Sequence, residues 1–239
     1  MRERIIIALD VPNRQALERW ADILRTHVTW VKVGMELFYA LGPEAVTFLK
    51  SKGFKVFLDL KLHDIPNTVE RAAAVLVETG AEIINLHCLG GKEMMSRTAE
   101  KVKKIAAHKG MNSPKVIGVT ILTSVNEAIL ERELQIKLPM EEQVLHLAAI
   151  AKEAGLDGVV ASPLEVQKIK EQCGRDFLTI VPGIRPSWSV AGDQRRILTP
   201  RQALEQGADY LVIGRPVLQA ADPIQAIDKI LQEMEEEEC

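Results

Sequence analysis

The chain has 239 residues, 47% of them hydrophobic and 26% charged, with a formal net charge of −3. That size and balance fit one soluble globular domain, residues 1–239, with a large core. No lysine/arginine stripe is present and aromatic residues are only 4%, which gives no basis for nucleic-acid binding; no apolar run nears the ~20 residues of a membrane span.

One unit repeats along the chain: a short apolar run, a polar turn, an amphipathic stretch, then glycine and another apolar run. Taken in order, a strand over Arg4–Leu9 is followed by a helix over Arg14–Thr26, and a strand over Trp30–Gly34 by a helix over Pro43–Lys52. Strand Lys55–Leu60 precedes helix Thr68–Thr79, and strand Glu82–His87 precedes helix Lys92–Lys109. Strand Lys115–Ile121 leads by a long connection, Leu122–Met140, to helix Glu141–Glu153. Strand Gly158–Ala161 with helix Pro163–Gln172, and strand Leu178–Val181 with a second long connection, Pro182–Thr199, come next. Helix Pro200–Gln206, strand Tyr210–Ile213 and helix Pro223–Glu235 complete the pattern, and the acidic tail reads as the solvated end of that last helix. Gly53, Gly80, Gly110, Gly155, Gly174 and Gly207 stand where left-handed C-caps are wanted.

Continuous apolar strands alternating with helices indicate a parallel sheet covered on both faces. Eight such units predict a closed (β/α)8 TIM barrel; an open doubly wound sheet is the alternative, disfavoured because no Gly-x-Gly-x-x-Gly follows the first strand. Cys88, Cys173 and Cys239 have neither zinc spacing nor a disulfide framework, and the N-terminus lacks a signal-peptide pattern. A cytoplasmic location is the expectation.

In a barrel, catalytic groups gather at the C-terminal ends of the strands. There the sequence sets Asp10 after the first strand, Lys32 in the second, and Asp59 and Lys61 at the end of the third, with Asp64 close behind. Alternation along a flat strand puts Asp59, Lys61 and His63 on one face. Charges on a strand's inner face need partners, so Lys32, Asp59, Lys61 and Asp64 are expected to form a nearly neutral, proton-handling cluster; a set of rim salt bridges is the blander reading. His63 alone could simply cap a loop. Gly214 and Arg215 directly follow the last strand, where barrels often grip phosphate, and the loop Pro182-Gly183-Ile184-Arg185 through Gln194 could supply a second clamp. Thr123 and Ser124 end the fifth strand with two hydroxyls, suited to a polar ring edge or equally to a turn cap.

The run Asp59-Leu60-Lys61-Leu62-His63-Asp64-Ile65-Pro66-Asn67-Thr68 closely resembles the signature of the orotidine 5′-phosphate decarboxylase family. Ala8-Leu9-Asp10, Val31-Lys32-Val33-Gly34, Leu122-Thr123-Ser124, Pro182-Gly183-Ile184-Arg185, Gln194 and Gly214-Arg215-Pro216 extend that resemblance over the whole chain. It implies decarboxylation of orotidine 5′-monophosphate to uridine 5′-monophosphate, the last step of de novo pyrimidine synthesis, with no cofactor and no metal. Lys61 would protonate the ring carbon, Asp59 would face the substrate carboxylate, and Lys32 would orient Asp59 and contact the ribose held by Asp10. Asp64, Ile65 and Thr68 would reach into the neighbouring site of a homodimer. Thr123 and Ser124 would read the pyrimidine, while Pro182, Arg185, Gln194, Gly214 and Arg215 would surround the phosphate. Three rivals remain: a magnesium-dependent sugar-phosphate lyase resembling 3-keto-gulonate 6-phosphate decarboxylase, a metal-dependent epimerase using His63 and His87, and a non-catalytic phosphate-binding barrel.

Overall fold

The computed structural model describes residues 1–189 and 198–235. Its elements run β1 (Ile5–Ala8), α1 (Arg14–Leu24), β2 (Trp30–Gly34), α2 (Met35–Leu41), α3 (Glu44–Ser51), β3 (Lys55–Leu62), α4 (Pro66–Val77), β4 (Ile83–His87) and α5 (Gly91–His108). They continue β5 (Lys115–Val119), α6 (Met140–Glu153), β6 (Gly158–Val160), α7 (Val166–Cys173), β7 (Leu178–Val181), α8 (Pro200–Glu205), β8 (Tyr210–Ile213), α9 (Arg215–Leu218) and α10 (Pro223–Glu235). Every strand pairs in parallel with the next and β8 closes on β1, so the sheet is a (β/α)8 barrel and not an open doubly wound sheet.

Three strands match the sequence reading to the residue, and the others differ by one or two at an end. Helices α2 and α9 were not expected; both follow strand ends so closely that their few residues read as turns. The connection before α6 also holds more structure than expected. A single π-helical turn spans Ile129–Glu133, and the Glu127 carboxylate reaches forward to accept the Met140 N–H at 3.0 Å. All six glycines expected as C-caps have positive φ, which spares the backbone the Cβ clash other residues would meet there.

Alternation along the strands divides the apolar residues into two layers. Ile6, Trp30, Phe57, Ile83, Ile117 and Ile180 pack together inside the barrel, while Ile5, Ile7, Val31, Val33, Val56, Leu58, Ile84 and Leu86 face the helices. Two residues further along the inward-facing positions, the chemistry changes. Trp30 is followed by Lys32, Phe57 by Asp59 and Ile83 by Asn85, so a dry interior gives way to a polar mouth.

The opposite end is closed by a device repeated three times. Glu82, Asp157 and Asp209 each directly precede an even-numbered strand and accept the N–H of Val56, Val116 and Thr179 in the strand before, at 2.7, 2.9 and 2.7 Å. Each carboxylate also pairs with a lysine: Lys50, Lys115 and Lys170. In sequence the device is Gly-x-acid, at Gly80-Ala81-Glu82, Gly155-Leu156-Asp157 and Gly207-Ala208-Asp209.

Candidate active site

A cleft of about 350 Å³ opens at the C-terminal mouth and draws its walls from every strand end except that of β4. This is within the ~300–1,000 Å³ usual for small-molecule sites. Its floor is apolar: Ala8, Phe57, Val119, Val160 and Val212 continue the barrel interior. Asp10, Lys32, Asp59 and Lys61 line the β1–β3 side, Arg185 and Arg215 the β7–β8 side, and Thr123 and Ser124 enter from the loop after β5. Pro182 and Gly214 complete the rim beside the arginines.

The charged side is a chain of alternating sign. Asp10 Oδ1 lies 3.1 Å from Lys32 Nζ, which lies 3.3 Å from Asp59 Oδ2, and Asp59 Oδ1 lies 2.7 Å from Lys61 Nζ. The side chains of Lys32 and Asp59 are each only 11% exposed. Burial alone works against both charged forms. The Asp59 and Asp10 carboxylates outweigh it at Lys32 and hold the ammonium above its ordinary range. At Asp59 the opposing ammonium groups of Lys32 and Lys61 win, and the carboxyl is held below its ordinary range. Asp59 is therefore an anion at neutral pH despite its burial. Gly34 lets two of these side-chain ends approach the backbone closely: a Cβ there would stand 2.9 Å from Lys32 Nζ and 3.0 Å from Asp10 Oδ1.

Flat alternation does not deliver Lys61 to Asp59. The β3–β4 register passes from Leu58↔Ile84 directly to Leu62↔Leu86, so residues 59–61 of β3 bulge opposite a single residue, Asn85. Lys61 sits in the left-handed region with φ 52°, a conformation that costs a non-glycine residue about 1–2 kcal/mol. The bulge turns its side chain back over the mouth. His63 does not continue the inward row: it is exposed, and its ring lies 5.1 Å from that of His87. His87 is pushed down to about 4 by burial first and then by His63 and Lys61, so its ring is neutral at neutral pH.

Asp64 does not join the cluster expected of it. Its carboxylate is exposed and accepts the Ile65 N–H at 2.6 Å, and its place in the charge chain is taken by Asp10. Ile65, 66% exposed, and Thr68 also lie outside the cleft. The physical reason is local: the chain turns outward after the bulge to start α4 at Pro66. Gln194 lies outside the described residues. Arg185 is buried, with its guanidinium donating to the Ile184 carbonyl at 3.0 Å, while Arg215 is exposed at the start of α9. Among the described residues, no group of three or more His, Cys, Asp or Glu is arranged to hold a metal ion, and no helix is long and apolar enough to cross a membrane.

One polar residue of this mouth had no place in the sequence reading. Asn85, 1% exposed, donates from Nδ2 to Asp59 Oδ1 at 2.6 Å and accepts the Lys61 N–H at 2.7 Å. An asparagine inside the apolar run Ile83-Ile84-Asn85-Leu86 was the available signal.

Comparison with known proteins places this architecture. The family described as "Orotidine 5'-phosphate decarboxylase / HUMPS family" matches residues 3–230. A protein of Geotalea daltonii named orotidine 5′-phosphate decarboxylase is 51% identical over 233 residues, covering 98% of this chain and 96% of the relative. A Moorella thermoacetica protein of the same name is 48% identical over 234 residues, covering 98% and 93%. The crystal structure of orotidine 5′-phosphate decarboxylase from Lactobacillus acidophilus superposes with a TM-score of 0.86 at 41% identity, covering 98% of this chain and all of that one.

Proposed function

The chain belongs to the orotidine 5′-phosphate decarboxylase / HUMPS family and is a carboxy-lyase of pyrimidine biosynthesis; we propose that it converts orotidine 5′-monophosphate to uridine 5′-monophosphate without a cofactor, with Lys61 as the proton donor. The observation that carries this reading is the Lys32–Asp59–Lys61 chain at the mouth, with Lys61 Nζ at 2.7 Å from a carboxylate that stays ionised.

The reaction breaks the bond between the pyrimidine ring and its carboxylate, leaving the electron pair in an in-plane orbital of the ring carbon. No conjugated sink reaches that orbital, so a fixed cation beside it is the available stabilisation. Lys61 supplies the cation and then its proton, forming the new C–H bond while carbon dioxide departs as a neutral molecule. Asp59 opposes the substrate carboxylate and gains from its loss of charge. Lys32 keeps Asp59 ionised and, with Asp10, meets the ribose. Arg185, Gly214 and Arg215, with Pro182 and Gln194, hold the phosphate, whose binding energy helps order the site around the ring. Thr123 and Ser124 hydrogen-bond the pyrimidine edge.

The same reading makes the protein a cytoplasmic homodimer with its sites at the subunit interface. Met35 and Tyr39 after β2, Ile65 after β3 and Leu89 after β4 are large exposed apolar side chains at three consecutive strand ends, a surface suited to a second copy. Asp64, Ile65 and Thr68 then act on the partner's substrate. Mixing Asp64→Ala and Lys61→Ala subunits tests this: heterodimers regain one intact site, and partial recovery of turnover is expected. No recovery despite proven subunit exchange contradicts it.

The reaction itself is tested by following loss of orotidine 5′-monophosphate with excess chelator. Rapid turnover is expected. A folded protein that leaves the nucleotide untouched but turns over sugar phosphates with added magnesium would reassign the substrate within the family.

A further inference from the structure

We propose that Asn85 is a positioning residue for decarboxylation, fixing the Asp59 carboxylate and the Lys61 backbone relative to each other through one buried side-chain amide. The proposal rests on the assignment of Asp59 and Lys61 to the reaction.

Three observations lead to it. Asn85 is the single residue opposite the bulge, where the β3–β4 register jumps from Leu58↔Ile84 to Leu62↔Leu86. Its two amide atoms serve different halves of the charged pair: Nδ2 donates to Asp59 Oδ1 at 2.6 Å, and Oδ1 accepts from the Lys61 N–H at 2.7 Å. Finally, it is 1% exposed, so water cannot stand in for either partner.

The chemistry of the site explains why such a clamp is needed. Asp59 Oδ1 already receives Lys61 Nζ at 2.7 Å, and Oδ2 faces Lys32 Nζ at 3.3 Å. Two flexible ammonium groups can hold a carboxylate in many orientations. The Asn85 donor, carried on a strand inside the barrel, selects one. Lys61 in turn has to hold φ 52°, a conformation favoured by glycine or asparagine, at a position whose chemistry demands a lysine. The Asn85 carbonyl satisfies the N–H that the interrupted ladder leaves over and so stabilises that turn of the chain. A residue with two donors or two acceptors could not serve both halves, and the amide's orientation is fixed by the groups it faces.

The test compares wild-type protein with Asn85→Ala and Asn85→Asp, measuring kcat and KM for orotidine 5′-monophosphate, the dissociation constant for uridine 5′-monophosphate, and pH profiles. Wild-type turnover is the control for the reaction itself; its absence would defeat the functional reading, separately from the clamp. With wild type active, Asn85→Ala is expected to lower kcat on the order of 100-fold while product affinity stays within about threefold, because misplacement of reacting groups acts mainly on the chemical step. In Asn85→Asp the acceptor for Lys61 N–H is kept, but a second carboxylate faces Asp59 until it is protonated. Its kcat should therefore rise relative to wild type as the pH is lowered. A folded Asn85→Ala protein with kcat within threefold of wild type would overturn the proposal, as would equal losses in kcat and product affinity. If Asn85→Ala does not fold, the Asn85→Asp profile decides: parallel profiles for it and wild type contradict the clamp.

Discussion

At the N-terminal end of the barrel, Glu82, Asp157 and Asp209 each take one strand N–H and one lysine, with side chains 21–32% exposed. At the C-terminal mouth, Asp59 is 11% exposed and is enclosed by two lysines and an asparagine, and one of those lysines stands on a left-handed backbone. The first arrangement satisfies backbone groups and lets water share the charge. The second concentrates charge where water is scarce and holds a strained residue to do so. A carboxylate at one end is there for the sheet; under the proposed reaction, the carboxylate at the other is there for a substrate.

The sharpest way to break that contrast is at Asp59, where both demands meet. Asp59→Ala leaves Lys32 buried with Asp10 alone and removes the acceptor of Lys61 and Asn85. Turnover should fall by at least about 100-fold, and stability by about 3 kcal/mol, as expected when one partner of a buried pair is removed. Steady-state kinetics with thermal unfolding would check both losses; a loss of activity with no change in melting temperature would show that the buried pair contributes nothing to folding.

At the other end, Asp209→Ala should do the reverse. It strips the side-chain acceptor from Thr179 N–H, leaves Thr179 Oγ1 with the more distant Gly207 carbonyl, and leaves Lys170 Nζ with the Arg175 and Phe177 carbonyls. A loss of about 2 kcal/mol is expected, lowering the melting temperature by roughly 4–8 °C in a chain of this size, with kcat/KM unchanged. A drop in kcat/KM of tenfold or more would mean that the two ends are not independent.

The smallest effect should come from His87, whose ring is pushed down to about 4 by burial, by His63 and by Lys61 against the opposing pull of Asp59. Its ordinary value is about 6.5, so between those limits the unfolded chain binds a proton that the folded chain refuses. Stability should then fall as pH drops from about 6.5 to about 4, by about 1 kcal/mol once solvent screening of a partly buried ring is allowed for. Loss of Asp59's contribution belongs to a lower window, below the ordinary carboxylate range, because its folded value is depressed. Urea melts across this range should show the slope in wild type and a flatter one in His87→Gln. Equal slopes would assign the dependence to other groups.

The barrel was legible because each strand is a mainly apolar run bounded by glycine and polar punctuation, and that pattern survives errors of a residue at either end. Lys32, Asp59 and Lys61 were legible because charge on such runs is expensive without a partner. What stayed hidden depends on register. The bulge at residues 59–61 is a property of β3 against β4, so neither strand's own pattern contains it, and Asn85 acquires a role only when set opposite it. The same blindness covers Asp10 and Asp64: both read as mouth carboxylates, but only the paired geometry sets Asp10 3.1 Å from Lys32 and turns Asp64 away. The Gly-x-acid triplet occurs seven times in the chain, and only hydrogen bonds to a neighbouring strand mark out the three, ending in Glu82, Asp157 and Asp209, that form the device.

The central claim is that the charge at the mouth performs chemistry, and Lys61→Ala tests it most directly. Turnover of orotidine 5′-monophosphate and affinity for uridine 5′-monophosphate should be measured on the same folded preparation. The account predicts a loss of turnover of at least about 10³-fold, with the melting temperature and product affinity little changed. Turnover near the wild-type rate would remove Lys61 from the reaction and leave the alternating charges as a structural ion chain.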